Sequence, residues 1–183
     1  MTGEETKLNR DTEVVQIPEG LRVRLARGTA VRILQSLGDT FTVMTEYGTM
    51  VRIDGKDADS IGKTIAGAAD ASMSAPSTSD EMKSKIWEAL RGVYDPEIPI
   101  NVVDLGLVYK NEAAPRSDGG FNVVVDMTLT APGCGMGPVL QQDAERRIRA
   151  IPGARDVLVQ IVIEPTWNQD MMSEVAKLEL GLA

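Results

Sequence analysis

The sequence predicts an α+β protein in which a small all-β N-terminal module precedes a two-layer α+β domain. Two patterns support this fold class. Short runs of alternating apolar and polar residues, separated by glycines, occupy residues 13–53, as in a small meander or partly closed barrel. From residue 79 onward, helical and strand-like periodicities follow in the order helix, strand, strand, helix, strand, helix, which predicts helices layered on a small sheet.

The predicted organisation has three parts: a β module over residues 1–55, a linker over residues 56–78 and the α+β domain over residues 79–183. The linker is rich in Ala, Ser, Gly and Asp. Residues 1–11 are polar and are expected to be frayed. The alternating pattern predicts module strands at residues 14–17, 21–25, 30–34, 41–45 and 49–53.

The first helix of the α+β domain is predicted from the capping-box spacing of Thr78 and Glu81, followed by an apolar face. A strand over residues 103–109 is expected next, in which Gly106 indicates a bulge or a close backbone contact. A polar hairpin loop is predicted over residues 111–120.

A second strand follows over residues 121–129, and a second helix begins near Pro138. Alternation over residues 157–163 predicts the third strand. The segment 168–180 is helix-like, with one predicted apolar face that packs on its own domain or on a second subunit. The residues of that face are Met171, Val175 and Leu178.

Composition excludes several classes of function. The chain has 183 residues, one cysteine, no histidine and a net charge of −8. The missing histidine removes Cys-His and Ser-His-Asp catalysis together with the commonest metal ligand. The negative charge argues against a broad nucleic-acid-binding surface. Because no apolar run approaches membrane-spanning length and the N-terminus lacks the apolar core of a signal peptide, a cytoplasmic protein without membrane contact is expected.

Cys134 lies in a glycine-rich turn between the second strand and the second helix. The N-terminal end of a helix favours a negative charge, and glycines at 133, 135 and 137 allow close approach of another molecule. This pattern favours a functional thiol, although a lone cysteine is also common as a small buried apolar residue.

Asp95 and Glu97 lie two residues apart in a turn restricted by Pro96 and Pro99. If the fold brings this turn to Cys134, one soft and two hard ligands would suit iron or the edge of a cluster better than a closed zinc site. The alternative is a solvated acidic turn without a ligand.

Two motifs together resemble the family of iron-sulfur assembly domains that includes SufT and the phenylacetate-degradation protein PaaD. They are DPEIPINVVDLGLVYK over residues 95–110 and MTLTAPGCGMG over residues 127–137. By position, the family's acidic-proline motif falls on Asp95 and Glu97, its threonine on Thr130 and its cysteine on Cys134, and Trp167 matches the aromatic residue after the last strand. The sequence departs from many relatives in carrying Gly135 in place of proline directly after the cysteine.

The resemblance implies a non-enzymatic factor of a SUF-type system that helps to mature iron-sulfur proteins. Its implied cofactor is a transient iron ion or cluster, held by Cys134, Asp95 and Glu97 with Thr130 nearby. Its implied partners are other assembly proteins and client apoproteins. Since a [2Fe-2S] cluster needs four ligands and this chain has one cysteine, a homodimer or a partner complex is expected.

Two alternatives remain open at this point. One is an adaptor that docks assembly proteins to clients through the cysteine turn and never binds metal. The other is a cysteine-nucleophile enzyme, which is disfavoured because an acidic neighbour makes a poor activator of a thiol.

Overall fold

The computed structural model describes residues 4–64, 75–131 and 133–182. The chain divides into two compact units, Met1–Asp70 and Ala71–Ala183. Residues 65–74 of the predicted linker lie outside the described residues, and the predicted limits of the three parts stay a prediction.

Within the described residues, the N-terminal unit is a six-stranded antiparallel sheet in the order β1-β4-β5-β6-β2-β3. Its strands are β1 (Glu4–Lys7), β2 (Thr12–Gln16), β3 (Arg22–Leu25), β4 (Ala30–Leu37), β5 (Thr40–Thr45) and β6 (Met50–Ile53). Alternation along β5 buries Phe41 and Val43, which pack with Val14, Val31 and Ile53 in the core of this unit. The predicted all-β module is therefore confirmed.

The expectation of a frayed start is wrong for residues 4–11, and residues 1–3 lie outside the described residues. Strand β1 pairs with β4, and Leu8 is buried in the core directly after it. Arg10 then donates to Asp59 at 2.9 Å and to Asp57 at 2.9 Å, and its hydrogen bond to Asp59 lowers the pKa of that carboxyl. A polar edge strand is held by backbone hydrogen bonds, which apolar periodicity does not report.

The start of the predicted linker also has defined structure. Gly55–Ile61 form a short 3-10 helix whose Ala58 and Ile61 belong to the same core. The composition of this short helix is typical of a flexible segment, and only the burial of its two apolar side chains distinguishes it from one.

The C-terminal unit places helices against a three-stranded sheet in the order β7-β8-β9. Its elements are α1 (Ser79–Leu90), β7 (Val108–Pro115), β8 (Phe121–Met127), α2 (Gly137–Arg149), β9 (Ala154–Ile161), a 3-10 turn (Gln169–Met171) and α3 (Glu174–Glu179). Strands β7 and β8 are antiparallel, whereas β8 and β9 are parallel and connected through α2. The predicted two-layer α+β domain is confirmed.

Helix α1 begins as its capping residues predict. The Thr78 hydroxyl accepts the N–H of Glu81 at 3.2 Å. The Glu81 carboxylate accepts the backbone N–H and the hydroxyl of Ser77 at 2.7 and 2.8 Å, and these bonds lower its pKa. The carboxylate thus reaches one residue beyond the N-cap, and the helix then buries Met82, Ile86 and Leu90.

The helices are short. Within the described parts of the chain, the longest is α2 with 13 residues, and no helix has both the length and the apolar content needed to cross a bilayer.

The strand predicted over residues 103–109 is displaced toward the C-terminus. The side-chain oxygen of Asn101 accepts the N–H groups of Val103 and Asp104 at 3.1 and 2.9 Å, so the chain turns where a strand was expected. Strand β7 begins only at Val108, and it includes the first half of the predicted hairpin loop. The alternation of Val103, Leu105 and Leu107 therefore reflects apolar contacts within a series of turns.

The predicted C-terminal helix is broken, and its buried face differs from the expected one. The hydroxyl of Ser173 accepts the N–H of Ala176 at 3.2 Å, and this cap starts α3 anew after the 3-10 turn. The break buries Met172 and Ala176 and leaves Val175 and Leu178 exposed, contrary to the prediction.

Gly106 provides a test of the turns that precede β7. Its φ is +71°, and a Cβ at this position would overlap the carbonyl oxygen of Met171. We expect Gly106→Ala to lower the free energy of unfolding by about 3 kcal/mol, because backbone strain and overlap with a backbone atom add together. Urea unfolding followed by tryptophan fluorescence reports this unit, since Trp87 and Trp167 both lie in it.

Gly119→Ala is the matched control. Gly119 also has a positive φ, of +91°, but a Cβ there meets no atom within 4 Å. Its expected cost is about 1–2 kcal/mol from strain alone. Equal losses in the two variants would contradict a steric role for the Gly106 contact.

Candidate functional site

The candidate site is formed by two loops of the C-terminal unit. The first, the acidic loop, spans residues 94–101 after α1. The second, the cysteine loop, spans residues 128–136 between β8 and α2. The acidic loop is closed by an isolated antiparallel bridge between Tyr94 and Asn101, and by a hydrogen bond from the Asp95 N–H to the Ile100 carbonyl at 3.2 Å.

Asp95 is committed to the backbone of its own loop. The residue is 5 % exposed, and its Oδ1 accepts the N–H groups of Glu97 and Ile98 at 2.8 and 3.0 Å. This is an Asx-type turn, in which a carboxylate replaces a carbonyl as acceptor and Pro96 limits the backbone. Asp95 therefore shapes the acidic loop.

Thr130 joins the two loops. Its hydroxyl donates to Oδ2 of Asp95 at 3.5 Å, a long hydrogen bond. Thr130 precedes Cys134 by four residues, so this bond brings the start of the cysteine loop to the acidic loop, whereas the predicted site itself stays a prediction. The other predicted carboxylate, Glu97, is exposed, and no hydrogen bond to its carboxylate is found among the described residues.

Cys134 is half-buried in the turn that leads into α2. Its N–H donates to the Ala131 carbonyl at 3.3 Å, and its own carbonyl accepts the N–H of Gly137 at 3.1 Å. Gly137 is the first helical residue, and a Cβ there would lie 2.8 Å from the side chain of Leu129. The cysteine thus lies between strand and helix, as predicted, in a turn held by local hydrogen bonds.

The segment between the loops contacts both of them. This central segment comprises residues 101–107. Its Leu107 carbonyl accepts the N–H of Thr128 at 2.8 Å. At its other end, Val102 donates to the carbonyl of Val93 at 2.9 Å, just before the acidic loop. The positions of both loops therefore depend on the central segment.

Comparison with known proteins places this site in a family. A family model described as "Iron-sulfur cluster assembly protein" matches residues 83–161. A protein of Porphyromonas gingivalis named "Fe-S protein maturation auxiliary factor" is 45% identical over 101 residues, which cover 55% of this chain and 92% of that protein. The chain belongs to the iron-sulfur cluster assembly protein family.

Two further relatives agree with this assignment. The Staphylococcus aureus protein named "Fe-S protein maturation auxiliary factor SufT" is 45% identical over 91 residues, 50% of this chain and 99% of that protein. The solved structure of a domain of unknown function, DUF59, from Bacillus anthracis is 30% identical, with a TM-score of 0.51 over 57% of this chain and 96% of that one. The family match includes both loops and ends with the last residue of β9.

The predicted ligands Cys134, Asp95 and Glu97 differ in how far the loop backbone already uses them, and their role in binding metal stays a prediction. Among the described residues, no group of three or more His, Cys, Asp or Glu side chains is arranged to hold a metal ion. Asp95 already accepts two backbone N–H groups, which leaves Cys134 and the exposed Glu97 as the predicted ligands that are not committed to the loop backbone.

Sequence analysis missed two side chains that build the site. Asn101 caps the turns of the central segment, and Tyr109 donates to the carbonyl of Pro165 at 2.8 Å. An Asn followed by Asp104 three residues later is a local turn signal that could have indicated the first. The second joins residues 56 positions apart, and no local pattern reports it.

The commitment of Asp95 to the backbone predicts different effects for two substitutions. Asp95→Ala removes the acceptor of two N–H groups and should lower the free energy of unfolding by about 1–2 kcal/mol. Asp95→Asn keeps an oxygen at the same place and should cost less than about half as much. Urea unfolding measures both, with Glu97→Gln as the exposed control that should stay within about 0.5 kcal/mol of the unmodified chain.

If Asp95→Asn is as destabilising as Asp95→Ala, the negative charge of Asp95 and not the position of its acceptor oxygen stabilises the acidic loop, which contradicts this prediction.

Proposed function

We propose that this chain is a maturation factor for iron-sulfur proteins, an accessory carrier or targeting protein of a SUF-type system that uses Cys134 as a single labile ligand. The observation that carries this proposal is the Thr130–Asp95 hydrogen bond, which joins the loop of the half-buried Cys134 to the acidic loop. The names of the relatives, Fe-S protein maturation auxiliary factors, support the same role.

The iron ion or cluster is cargo in this proposal, and the ligand count determines how it is held. A [2Fe-2S] cluster takes four ligands, whereas the chain has one cysteine and no histidine. The remaining ligands come from a second copy of the chain, from another assembly protein or from the client apoprotein. Binding through one sulfur is weak and reversible, which suits transfer better than storage.

The proposed roles of the nearby residues differ. Cys134 contacts the cargo, and the exposed Glu97 is available to complete or tune its coordination. Asp95 and Thr130 hold the two loops in register, so they influence the cargo through the position of the cysteine. The partners are assembly proteins and client apoproteins, and the chain itself carries out no catalysis.

Anaerobic reconstitution with iron and sulfide tests the ligand role. We expect Cys134→Ser to lower iron and cluster uptake by about tenfold or more, measured by absorption spectroscopy and iron content, because a hydroxyl is a poor ligand for iron compared with a thiolate. Ser117→Ala, a small change in the exposed turn between β7 and β8, is the control and should bind as the unmodified chain does.

Activation of an apoprotein client by these two variants completes the test. Loss of activation by Cys134→Ser, with binding to the client retained, supports transfer through the cysteine. Normal client activation and normal iron uptake by Cys134→Ser would reject the proposal in favour of an adaptor that binds assembly proteins without metal.

A further inference from the structure

Residues 162–173, the C-terminal strap, follow β9 and lie across the central segment. The N–H of Val162 donates to the carbonyl of Met127 at 2.8 Å, at the end of β8. Further on, the indole N–H of Trp167 donates to the carbonyl of Leu105 at 2.7 Å, and the N–H of Ser173 donates to the carbonyl of Asp104 at 2.8 Å. The strap therefore contacts both the residue before the cysteine loop and the middle of the central segment.

Two other contacts fix the course of the strap. Tyr109 donates its hydroxyl to the carbonyl of Pro165, and Gly106 lies so close to Met171 that a side chain would not fit between them. The strap lies beyond residue 161, outside the part of the chain that the family model matches. Its contacts are nevertheless directed at the segment that joins the two loops of the site.

Trp167 occupies the middle of this arrangement. Its ring packs against the core, and its N–H donates a hydrogen bond to the carbonyl of Leu105, a fully buried residue. Two residues further along, the carbonyl of Leu107 accepts the N–H of Thr128, the first residue of the cysteine loop. Leu105 and Thr128 are thus linked by a short stretch of backbone and one hydrogen bond.

The cysteine loop depends on this anchor. Among the hydrogen bonds of the described residues, those within the loop are local, such as Cys134 to Ala131. Besides its continuation into β8 and α2 and the packing of Leu129 and Met136, two hydrogen bonds among the described residues tie the loop to the rest of the unit. They are the bond from Thr128 to Leu107 and the long bond from Thr130 to Asp95. Displacement of the central segment would release the bond from Thr128.

We propose that Trp167 is a positioning residue for Cys134: by holding Leu105, it keeps the central segment where it anchors the cysteine loop and so limits the exposure of the thiol. The functional importance of this contact rests on the proposed role of Cys134 in iron-sulfur maturation, whereas the contact's effect on the thiol does not.

The rate of alkylation by iodoacetamide tests the inference directly, because Cys134 is the single cysteine and every modification is at this residue. Trp167→Phe removes the N–H and keeps a ring. We expect it to speed alkylation under native conditions by about fivefold, the factor that corresponds to the loss of one typical hydrogen bond holding a closed state. Trp87→Phe, the same change at the other tryptophan, should leave the rate within about twofold of the unmodified chain.

A second control distinguishes a local effect on the cysteine loop from faster alkylation caused by a general loss of stability. Ile148→Val shortens a fully buried side chain of α2, far along the helix from the cysteine loop, and it supplies a variant with general destabilisation. Hydrogen exchange at the Thr128 amide adds a local measurement, and this exchange should accelerate in Trp167→Phe and stay protected in Ile148→Val. If Trp167→Phe alkylates no faster than Ile148→Val, the inference is overturned.

Tyr109→Phe keeps the inference testable if Trp167→Phe fails to fold. It removes the bond to Pro165 with little change in shape, and it should raise the alkylation rate by a smaller factor than Trp167→Phe does. An unchanged rate in this variant would contradict a role of the strap in holding the cysteine loop.

The outcome for the proposed function is separate, because Cys134→Ser can abolish iron uptake while Trp167→Phe leaves alkylation unchanged, and the reverse can also be observed.

Discussion

The geometry of the site depends on how the central segment, residues 101–107, satisfies its backbone hydrogen bonds. Every residue of this segment is buried or half-buried but none belongs to a strand, so its N–H and carbonyl groups need other partners. It finds them in its own Asn101, in Val93 before the acidic loop, at the start of the cysteine loop and in the C-terminal strap. Three parts of the chain outside the segment therefore meet there, and the two loops of the site take their places from it.

The carboxylate of the acidic loop and the sulfur of the cysteine loop differ in how far the surrounding backbone already uses them. A carboxylate that accepts two backbone N–H groups contributes to loop shape, and such bonds to a charged acceptor are stronger than neutral ones. Among the described residues, the sulfur in the neighbouring loop has no comparable commitment. The Asp95 carboxylate is thus largely structural, whereas Cys134 is a half-buried free thiol.

A lone sulfur has consequences for how the protein would handle metal. The chain has one cysteine and no histidine, and among the described residues no group of three or more His, Cys, Asp or Glu side chains is arranged to hold a metal ion. In the proposed function, exchange of ligands with a partner is therefore a condition of metal binding. This agrees with the names of the relatives, which describe them as auxiliary factors in maturation.

The sequence alone determined the class of the fold, strand β8, helix α2 and the position of Cys134 between them, because strong side-chain periodicity and a glycine-rich turn are local signals. It also identified Gly106 as a point of close approach. Only the tertiary structure decided that polar residues near the N-terminus form β1, that the chain turns where a strand was expected before β7, and that the last helix buries Ala176 and exposes Val175. These features rest on backbone hydrogen bonds and packing between residues far apart in the chain, which a local pattern of side chains does not contain.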